Sequence, residues 1–217
     1  YMTMPEWFPQ NPKQVWKHFY DLTQIPRPSK NEGKVVEYLI KLAKEYKLEY
    51  KTDEESNVVI YKPGTAGFEN HEPVIVQGHV DMVTDATTDR IINFDTDPIT
   101  TLLDGDWLTA DRTTLGADNG IGCAIALACI TDNEVEHPPL ELLFTTDEET
   151  GLNGAWAVKS EYFKGRKLIN IDTEEWGSLY VGCAGGIDCD MQGDFKKSTP
   201  TISEFYKVTL EGLSGGH

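Results

Sequence analysis

Three short, mainly apolar runs in this sequence each lead within three residues to histidine or acidic residues. The runs cover residues 74–76, 142–144 and 168–171, and each belongs to a segment that is predicted to form a buried strand. Segments with helical periodicity lie between them, which predicts an α/β fold with a largely parallel sheet. Because the carboxyl ends of parallel strands meet at one edge of a sheet, we expect the polar residues after these runs to share a crevice.

Hydrophobic periodicity predicts the other elements of the fold. Ser29 and Glu32 are interpreted as a capping box that starts the second helix. A glycine-rich stretch at 182–186 predicts a hinge. The predicted helices cover residues 12–22, 30–43, 117–130 and 152–158, and the predicted strands cover 57–61, 73–76, 140–144, 168–171, 179–182 and 205–210.

Charge and composition exclude several classes of function. The chain has 36 Asp and Glu against 19 Lys and Arg, and a formal net charge of −17, so neither nucleic acid nor an anionic membrane is an expected partner. Its longest uncharged apolar stretch, residues 121–130, is far shorter than the roughly 20 residues that span a bilayer. The four cysteines lack C-x-x-C spacing and are predicted to be reduced thiols rather than zinc ligands. No secretory pattern is visible in the first ten residues, so we expect a cytoplasmic protein.

The residues expected in the crevice are one histidine and several carboxylates. Most of them directly follow the three apolar runs, and one lies at the start of a helix rich in small residues. In chain order they are His79, Asp81, Asp118, Glu148, Glu149 and Asp172. Alone, each has an ordinary structural interpretation as a turn residue, a solvated charge or a helix cap. Their shared placement favours a binding crevice instead.

A crevice lined by carboxylates needs positive charge, because unpaired buried charges are costly. The motifs contain no Lys or Arg, so we expect divalent cations there. Mixed nitrogen and oxygen ligands suit zinc, with manganese and cobalt as alternatives. His79 and Asp81 can act as a ligand and its orienting partner. The side chains of Glu148 and Glu149 diverge, so one can bind metal while the other serves as a general base.

Four segments together resemble the aminoacyl-histidine dipeptidases. These enzymes, also called Xaa-His dipeptidases or bacterial carnosinases, belong to the zinc exopeptidase family of aminoacylases and carboxypeptidases. The GHVD sequence at 78–81 indicates only that wider family. The ADNGIG sequence at 117–122 and the spacing of all four segments restrict the resemblance to the aminoacyl-histidine dipeptidases within that family. The other two segments are TDEETG at 146–151 and NIDTEE at 170–175.

The resemblance implies a central mixed sheet, mostly parallel and flanked by helices, that holds two divalent metal ions, zinc above all. His79 and Asp172 would bind one ion and Glu149 the other, while Asp118 would bridge both. It also implies a cis peptide after Asp118. Asp81 would orient His79.

The resemblance further implies that Glu148 is the general base and that a water activated by the two ions hydrolyses the dipeptide. Substrates would be dipeptides with a C-terminal histidine, including β-alanyl-histidine. Residues 1–184 would form the catalytic domain, and 185–217 would begin an inserted lid domain. There His217 would help to polarise the scissile carbonyl. Full-length members would be homodimers.

The family pattern places a further metal-binding histidine in a segment after His217. We therefore expect the second metal site to be incomplete in this chain and its activity to be low. Two other functions stay open. One is an acylase or carboxypeptidase that acts on N-acyl amino acids, and the other is a binding or assembly module without catalytic activity.

Overall fold

A computed structural model of the chain describes residues 3–182, 190, 192–194, 196, 199, 201, 204 and 206–209. The chain divides into two units, Tyr1–Trp176 and Gly177–His217. All helices and strands of the described residues lie in the first unit. The domain boundary expected at residue 184 stays a prediction.

The helices lie close to their predicted positions. The first begins after Pro12, and its apolar face buries Phe19 and Leu22. The third is rich in alanine and glycine, which lets it pack closely on the sheet and on the first helix. The helices are α1 (Lys13–Thr23), α2 (Gly33–Glu45), α3 (Ala117–Thr131) and α4 (Asn153–Ala157), followed by a 3₁₀ turn at Ser160–Tyr162.

The strands of the described residues form a five-stranded mixed sheet and a separate hairpin. The sheet order is β1-β2-β6-β3-β7. Strands β6, β3 and β7 are parallel to one another, whereas β2 pairs antiparallel with both of its neighbours, β1 and β6. The predicted mixed α/β architecture is confirmed. The sheet strands are β1 (Glu49–Thr52), β2 (Val58–Lys62), β3 (Val74–His79), β6 (Leu140–Thr145) and β7 (Lys167–Asn170), and the hairpin strands are β4 (Thr101–Asp104) and β5 (Trp107–Ala110).

The hydrophobic core lies between the sheet and helices α1, α2 and α3. Phe19 of α1, Leu39 of α2 and Leu127 of α3 are buried against Leu142 and Phe144 of β6. A smaller cluster, which includes Val59, Ile75 and Leu143, covers the other face of the sheet. Because β3 and β6 are covered on both faces, their carboxyl ends are fixed in position. The residues that directly follow these strands are therefore held in defined positions as well.

The capping box expected at the start of α2 is wrong. The N-cap residue of this helix is Glu32, and no side chain caps the helix. The Ser29 hydroxyl instead donates to Asp81 Oδ2 at 2.7 Å. Glu32 Oε1 accepts hydrogen bonds from the main-chain N–H groups of Lys30 and Asp147. Both side chains therefore face loops at the end of the sheet rather than their own helix.

Three further differences concern strands. Residues 179–182 are described and form no strand, and the described residues within 205–210 form none either. Strand β1 was not predicted because its four residues are mostly exposed and polar. The hairpin of β4 and β5 was not predicted, although the Asp104–Gly105 pair at its turn is a common hairpin signal.

The described cysteines are free thiols, as predicted. Cys123 is buried, and its thiol donates to the main-chain oxygen of His79 at 3.0 Å. Burial raises the pKa of this thiol to about 12. Cys129 is half-buried. Cys183 and Cys189 lie outside the described residues.

Within the described part of the chain, none of the helices has the length and apolar character needed to cross a membrane.

A buried histidine makes the stability of this fold depend on pH. His18 is 4 % exposed, and its ring nitrogens contact Tyr38 Oη and Thr131 Oγ1. Burial, assisted by the charge of Lys17, lowers the pKa of His18 to about 4 from 6.5. The unfolded chain therefore binds a proton between pH 6.5 and 4 that the folded chain does not, so protonation favours unfolding.

We expect acidification from pH 7 to 4.5 to lower the free energy of unfolding by about 2–3 kcal/mol through His18 alone. Urea denaturation at both pH values measures this, with His18→Gln compared with the unmodified chain. The variant should lose that part of the pH dependence. His71→Gln, at an exposed position, is the control and should keep it. An identical pH dependence in His18→Gln would contradict the assignment.

Candidate metal centre

The candidate site begins where β3 ends, at His79. This side chain is 1 % exposed, and hydrogen bonds hold both ring nitrogens. Nδ1 contacts Asp81 Oδ1 at 3.2 Å, and Nε2 contacts Asp118 Oδ1 at 2.9 Å. The imidazole is thus fixed between a buried carboxylate behind it and a half-exposed one in front.

The loops after β6 and β7 bring further carboxylates to the same nitrogen. Asp172 Oδ1 lies 3.6 Å from His79 Nε2, and Glu148 Oε2 lies 4.0 Å from it. Two groups of three ligands include this imidazole, and within each group the ligand atoms lie within 4.8 Å of one another. The first group is His79, Asp118 and Asp172, and the second is His79, Glu148 and Glu149.

The residues that the sequence pattern predicted for the crevice are therefore brought together by the structure. The exception is His217, which lies outside the described residues. Asp81 belongs to neither of these two groups. Its carboxylate is completely buried behind His79, and its oxygens lie instead within 4.8 Å of carboxylate oxygens of Glu32 and Asp147.

Asp81 ties the loops of the site to one another. Its Oδ1 accepts from the main-chain N–H of Glu148 at 3.1 Å, and its Oδ2 accepts from the N–H of Glu149 at 3.3 Å. Burial alone would raise the pKa of Asp81. The hydrogen bonds from His79, Ser29 and the Glu148 amide outweigh burial and lower that pKa to about 2. Asp81 is therefore an anion that orients the imidazole from behind.

The first turn of α3 delivers Asp118 to the crevice. The peptide between Asp118 and Asn119 is cis, as the resemblance implies. Asp118 has an extended conformation (φ −81°, ψ 115°) rather than a helical one. The next side chain contacts the loop after β7: Asn119 Nδ2 donates to Asp172 Oδ1 at 2.9 Å and also to the main-chain oxygen of Ile171. This turn thus supplies one carboxylate and holds another.

The charges in the crevice strongly perturb the pKa values of its members. Burial lowers the pKa of the His79 imidazole, but hydrogen bonds to Asp118 and Asp81 outweigh burial and raise that pKa to about 10. Burial, joined by the charges of Asp118 and Glu148, raises the pKa of Asp172 to about 6 against the opposing effect of His79. The crevice is therefore strongly negative and favours a cation.

The donor set fits a divalent metal ion. Atoms bound to one zinc ion at 2.0–2.2 Å lie at most about 4.4 Å apart. The separations from His79 Nε2 to Asp118, Asp172 and Glu148 are 2.9, 3.6 and 4.0 Å, all within that limit. One imidazole nitrogen with several carboxylate oxygens is also a ligand chemistry that zinc accepts.

Sequence reasoning missed one residue of the site, Arg27. The motifs themselves contain no cation, yet this guanidinium is buried directly behind them, with 1 % of the residue exposed. It donates to the main-chain oxygens of Val80, Asp81 and Gly116. A Cβ at Gly116 or Gly120 would overlap the guanidinium, so glycine at these two positions leaves the space that Arg27 occupies. Arg27 lies far from the motifs in sequence, and no local pattern could have found it.

A histidine and several carboxylates that meet at this edge of an α/β sheet are a donor set of the kind found in hydrolases that use metal ions. Comparison with known proteins narrows the class. The model of peptidase family M28 matches residues 57–198, and the chain belongs to that family.

The proteins to which the chain is similar include two dipeptidases. The chain is 44 % identical over 209 residues to the cytosol non-specific dipeptidase of Escherichia coli K12, covering 95 % of this chain and 43 % of that protein. The crystal structure of aminoacylhistidine dipeptidase from Vibrio alginolyticus has a TM-score of 0.78 and 42 % identity, over 80 % of this chain and 35 % of that one. The chain thus spans less than half the length of either relative.

A more distant structure shares the fold. The structure of a tripeptidase from Staphylococcus aureus has a TM-score of 0.62 at 23 % identity, and the match covers 76 % of this chain and 44 % of that one.

Helix α3 and the loop that carries Asp172 approach each other closely at Gly122. A Cβ there would overlap the main-chain oxygen of Ile171 and crowd the Asn119 amide. We expect Gly122→Ala to lower the free energy of unfolding by about 2–3 kcal/mol, because neither neighbour can yield without displacing the other. Urea denaturation measures this change.

The matched control is Gly33→Ala at the start of α2, where a Cβ meets nothing within 4 Å. This variant should be neutral or more stable by less than about 1 kcal/mol. Equal stability of the two variants would contradict the close packing at Gly122.

Proposed function

We propose that this crevice binds divalent metal ions, zinc above all, and that the protein hydrolyses dipeptides with a C-terminal histidine, including β-alanyl-histidine. One observation carries the proposal: His79 Nε2 lies within 4.0 Å of carboxylate oxygens from three separate segments, namely the first turn of α3 and the loops after β6 and β7. Carboxylates that converge in this way repel one another, and a bound cation relieves that repulsion.

In this proposal the ligands are divided between two ions. His79 and Asp172 would hold the first ion, Glu149 would hold the second, and Asp118 would contribute to both. The group of His79, Asp118 and Asp172 supports the ligands of the first ion, whereas the assignment of Glu149 to a second ion rests on the resemblance. When bound, such ions polarise a carbonyl oxygen and lower the pKa of water.

The chain's own residues would move the proton. Glu148 accepts a proton from the attacking water at its carboxylate and later delivers it to the leaving amine. Its main-chain N–H is held by Asp81, which keeps the carboxylate at the mouth of the crevice. The Nδ1–H of His79 donates to Asp81 Oδ1, which would leave Nε2 as the ligand atom when the imidazole is neutral.

Several parts of the proposal rest on the resemblance and on the relatives. The dipeptidases from E. coli and V. alginolyticus support a dipeptide substrate, and the latter supports a C-terminal histidine. A lid domain from residue 185 with His217 near the scissile carbonyl, a homodimer and a cytoplasmic location complete the proposal. The name of the E. coli relative supports that location.

The 217-residue chain should bind one zinc ion tightly. Both ligand groups described above depend on the same imidazole, so a second ion would have only carboxylates from these groups. Calorimetric titration with zinc measures the stoichiometry. His79→Ala should abolish tight binding, whereas His71→Ala, at an exposed position, should leave it unchanged. Two equally tight sites per chain would contradict the shared imidazole.

Replacing the proposed base should separate binding from catalysis. In a form of the protein that hydrolyses dipeptides, we expect Glu148→Gln to retain zinc and to lower kcat by about 10²–10⁴-fold, because the amide cannot accept the proton. Release of histidine from β-alanyl-histidine measures turnover. Glu37→Gln, exposed on α2, is the control. Near-normal turnover in Glu148→Gln would rule out its role as the base.

The same assay distinguishes the proposed activity from that of an acylase or carboxypeptidase. The dipeptidase should hydrolyse β-alanyl-histidine faster than an N-acetyl amino acid, and the reverse order would favour the acylase. Hydrolysis of neither substrate by a zinc-loaded protein of its relatives' length would favour a binding module.

A further inference from the structure

We propose that residues 27–32, which join α1 to α2, are a positioning element of the metal centre. Three side chains of this 27–32 segment each hold a different part of the site in place. The inference rests on the proposed function, because it concerns the affinity of the same crevice for metal. None of the three side chains lies in the ligand groups built on His79.

Arg27 holds two site segments by their main chains. Its Nη1 donates to the oxygens of Val80 at 2.9 Å and Asp81 at 3.2 Å, directly after His79. Its Nη2 donates to the oxygen of Gly116, two residues before Asp118. A planar guanidinium with fixed donor directions can join the two segments in one geometry only.

Ser29 holds the orienting carboxylate. Its hydroxyl donates to Asp81 Oδ2 at 2.7 Å, opposite the oxygen that contacts His79. The main chain strengthens this contact: the Met82 N–H donates to the oxygen of Arg27 at 3.2 Å, and Pro28 forms a parallel bridge with Met82. The segment therefore fixes both the backbone and the carboxylate of the loop after β3.

Glu32 holds the loop after β6. Its Oε1 accepts from the main-chain N–H of Asp147 at 3.0 Å, immediately before Glu148 and Glu149. The same oxygen accepts from the N–H of Lys30 at 2.9 Å, which keeps the carboxylate in place. Glu32 is buried, with 8 % exposed, so water does not compete strongly for this contact.

One short segment thus sets the relative positions of three loops that come from distant parts of the chain. Removing a side chain that is hydrogen-bonded directly to a metal ligand commonly weakens metal binding by about 10–100-fold. Ser29 and Glu32 act on the ligands through Asp81 and Asp147, so we expect an effect at the lower end of that range. A merely structural role would lower the stability of the fold and leave the affinity of the folded crevice unchanged.

Titration of the 217-residue chain with Co²⁺, followed by the visible absorption of the bound ion, tests the proposal. Ser29→Ala and Glu32→Ala leave the Arg27 contacts in place and should each weaken Co²⁺ binding by about tenfold. Ser29→Thr keeps a hydroxyl and Glu32→Gln keeps an acceptor oxygen, so both should bind within about threefold of the unmodified chain. Thermal unfolding of each variant without metal shows that it is folded at the titration temperature.

The controls are Ser160→Ala and Glu37→Ala, both at exposed positions away from these contacts. They should bind Co²⁺ as the unmodified chain does. Unchanged affinity in Ser29→Ala and Glu32→Ala would overturn the proposal while the metal centre stands. Equal weakening in Glu32→Ala and Glu32→Gln would also overturn it, because charge rather than the bond to Asp147 would then be responsible. Failure of the unmodified chain to bind Co²⁺ would overturn the metal centre and this inference together.

Discussion

The candidate site depends on the hydrogen bonds of one buried carboxylate, that of Asp81. It has no solvent exposure, so each of its hydrogen bonds replaces one that water would otherwise make. The donors come from the hydroxyl of Ser29, the ring of His79 and the main chain at Glu148 and Glu149. A single anion thereby joins the ends of two neighbouring strands to the segment before α2. Removing it would leave several buried donors without an acceptor.

Negative charge is concentrated where the parallel strands end, and the fold tolerates this through buried positive charge and directed donors. Arg27 lies behind the crevice and bonds only main-chain oxygens in the described contacts. Its field therefore reaches the carboxylates Asp118 and Glu149 without occupying their oxygens. The buried guanidinium therefore offsets part of the negative charge of the crevice from behind.

The sequence predicted strands β2, β3, β6 and β7, the main helices and the residues of the crevice, because those depend on local patterns. Apolar runs define β3 and β6, and side chains placed directly after them must arrive at one edge of the sheet. The roles of Ser29 and Glu32 could not be found in this way. Their spacing satisfies the pattern of a capping box, but partners distant in sequence, Asp81 and Asp147, take their hydrogen bonds. Arg27 was missed for the same reason, since only the folded chain brings it to the site.

The side-chain amide of Asn119 couples the positions of two carboxylates in the crevice. Asp118 and Asn119 are neighbours at the start of α3, and the Asn119 amide is bonded to the Asp172 carboxylate and to the peptide before it. A shift of α3 along its axis would therefore carry Asp118 and Asp172 together. The separation of these two carboxylates in the crevice therefore depends on the side chain of one uncharged residue, which itself offers no ligand to the ligand groups built on His79.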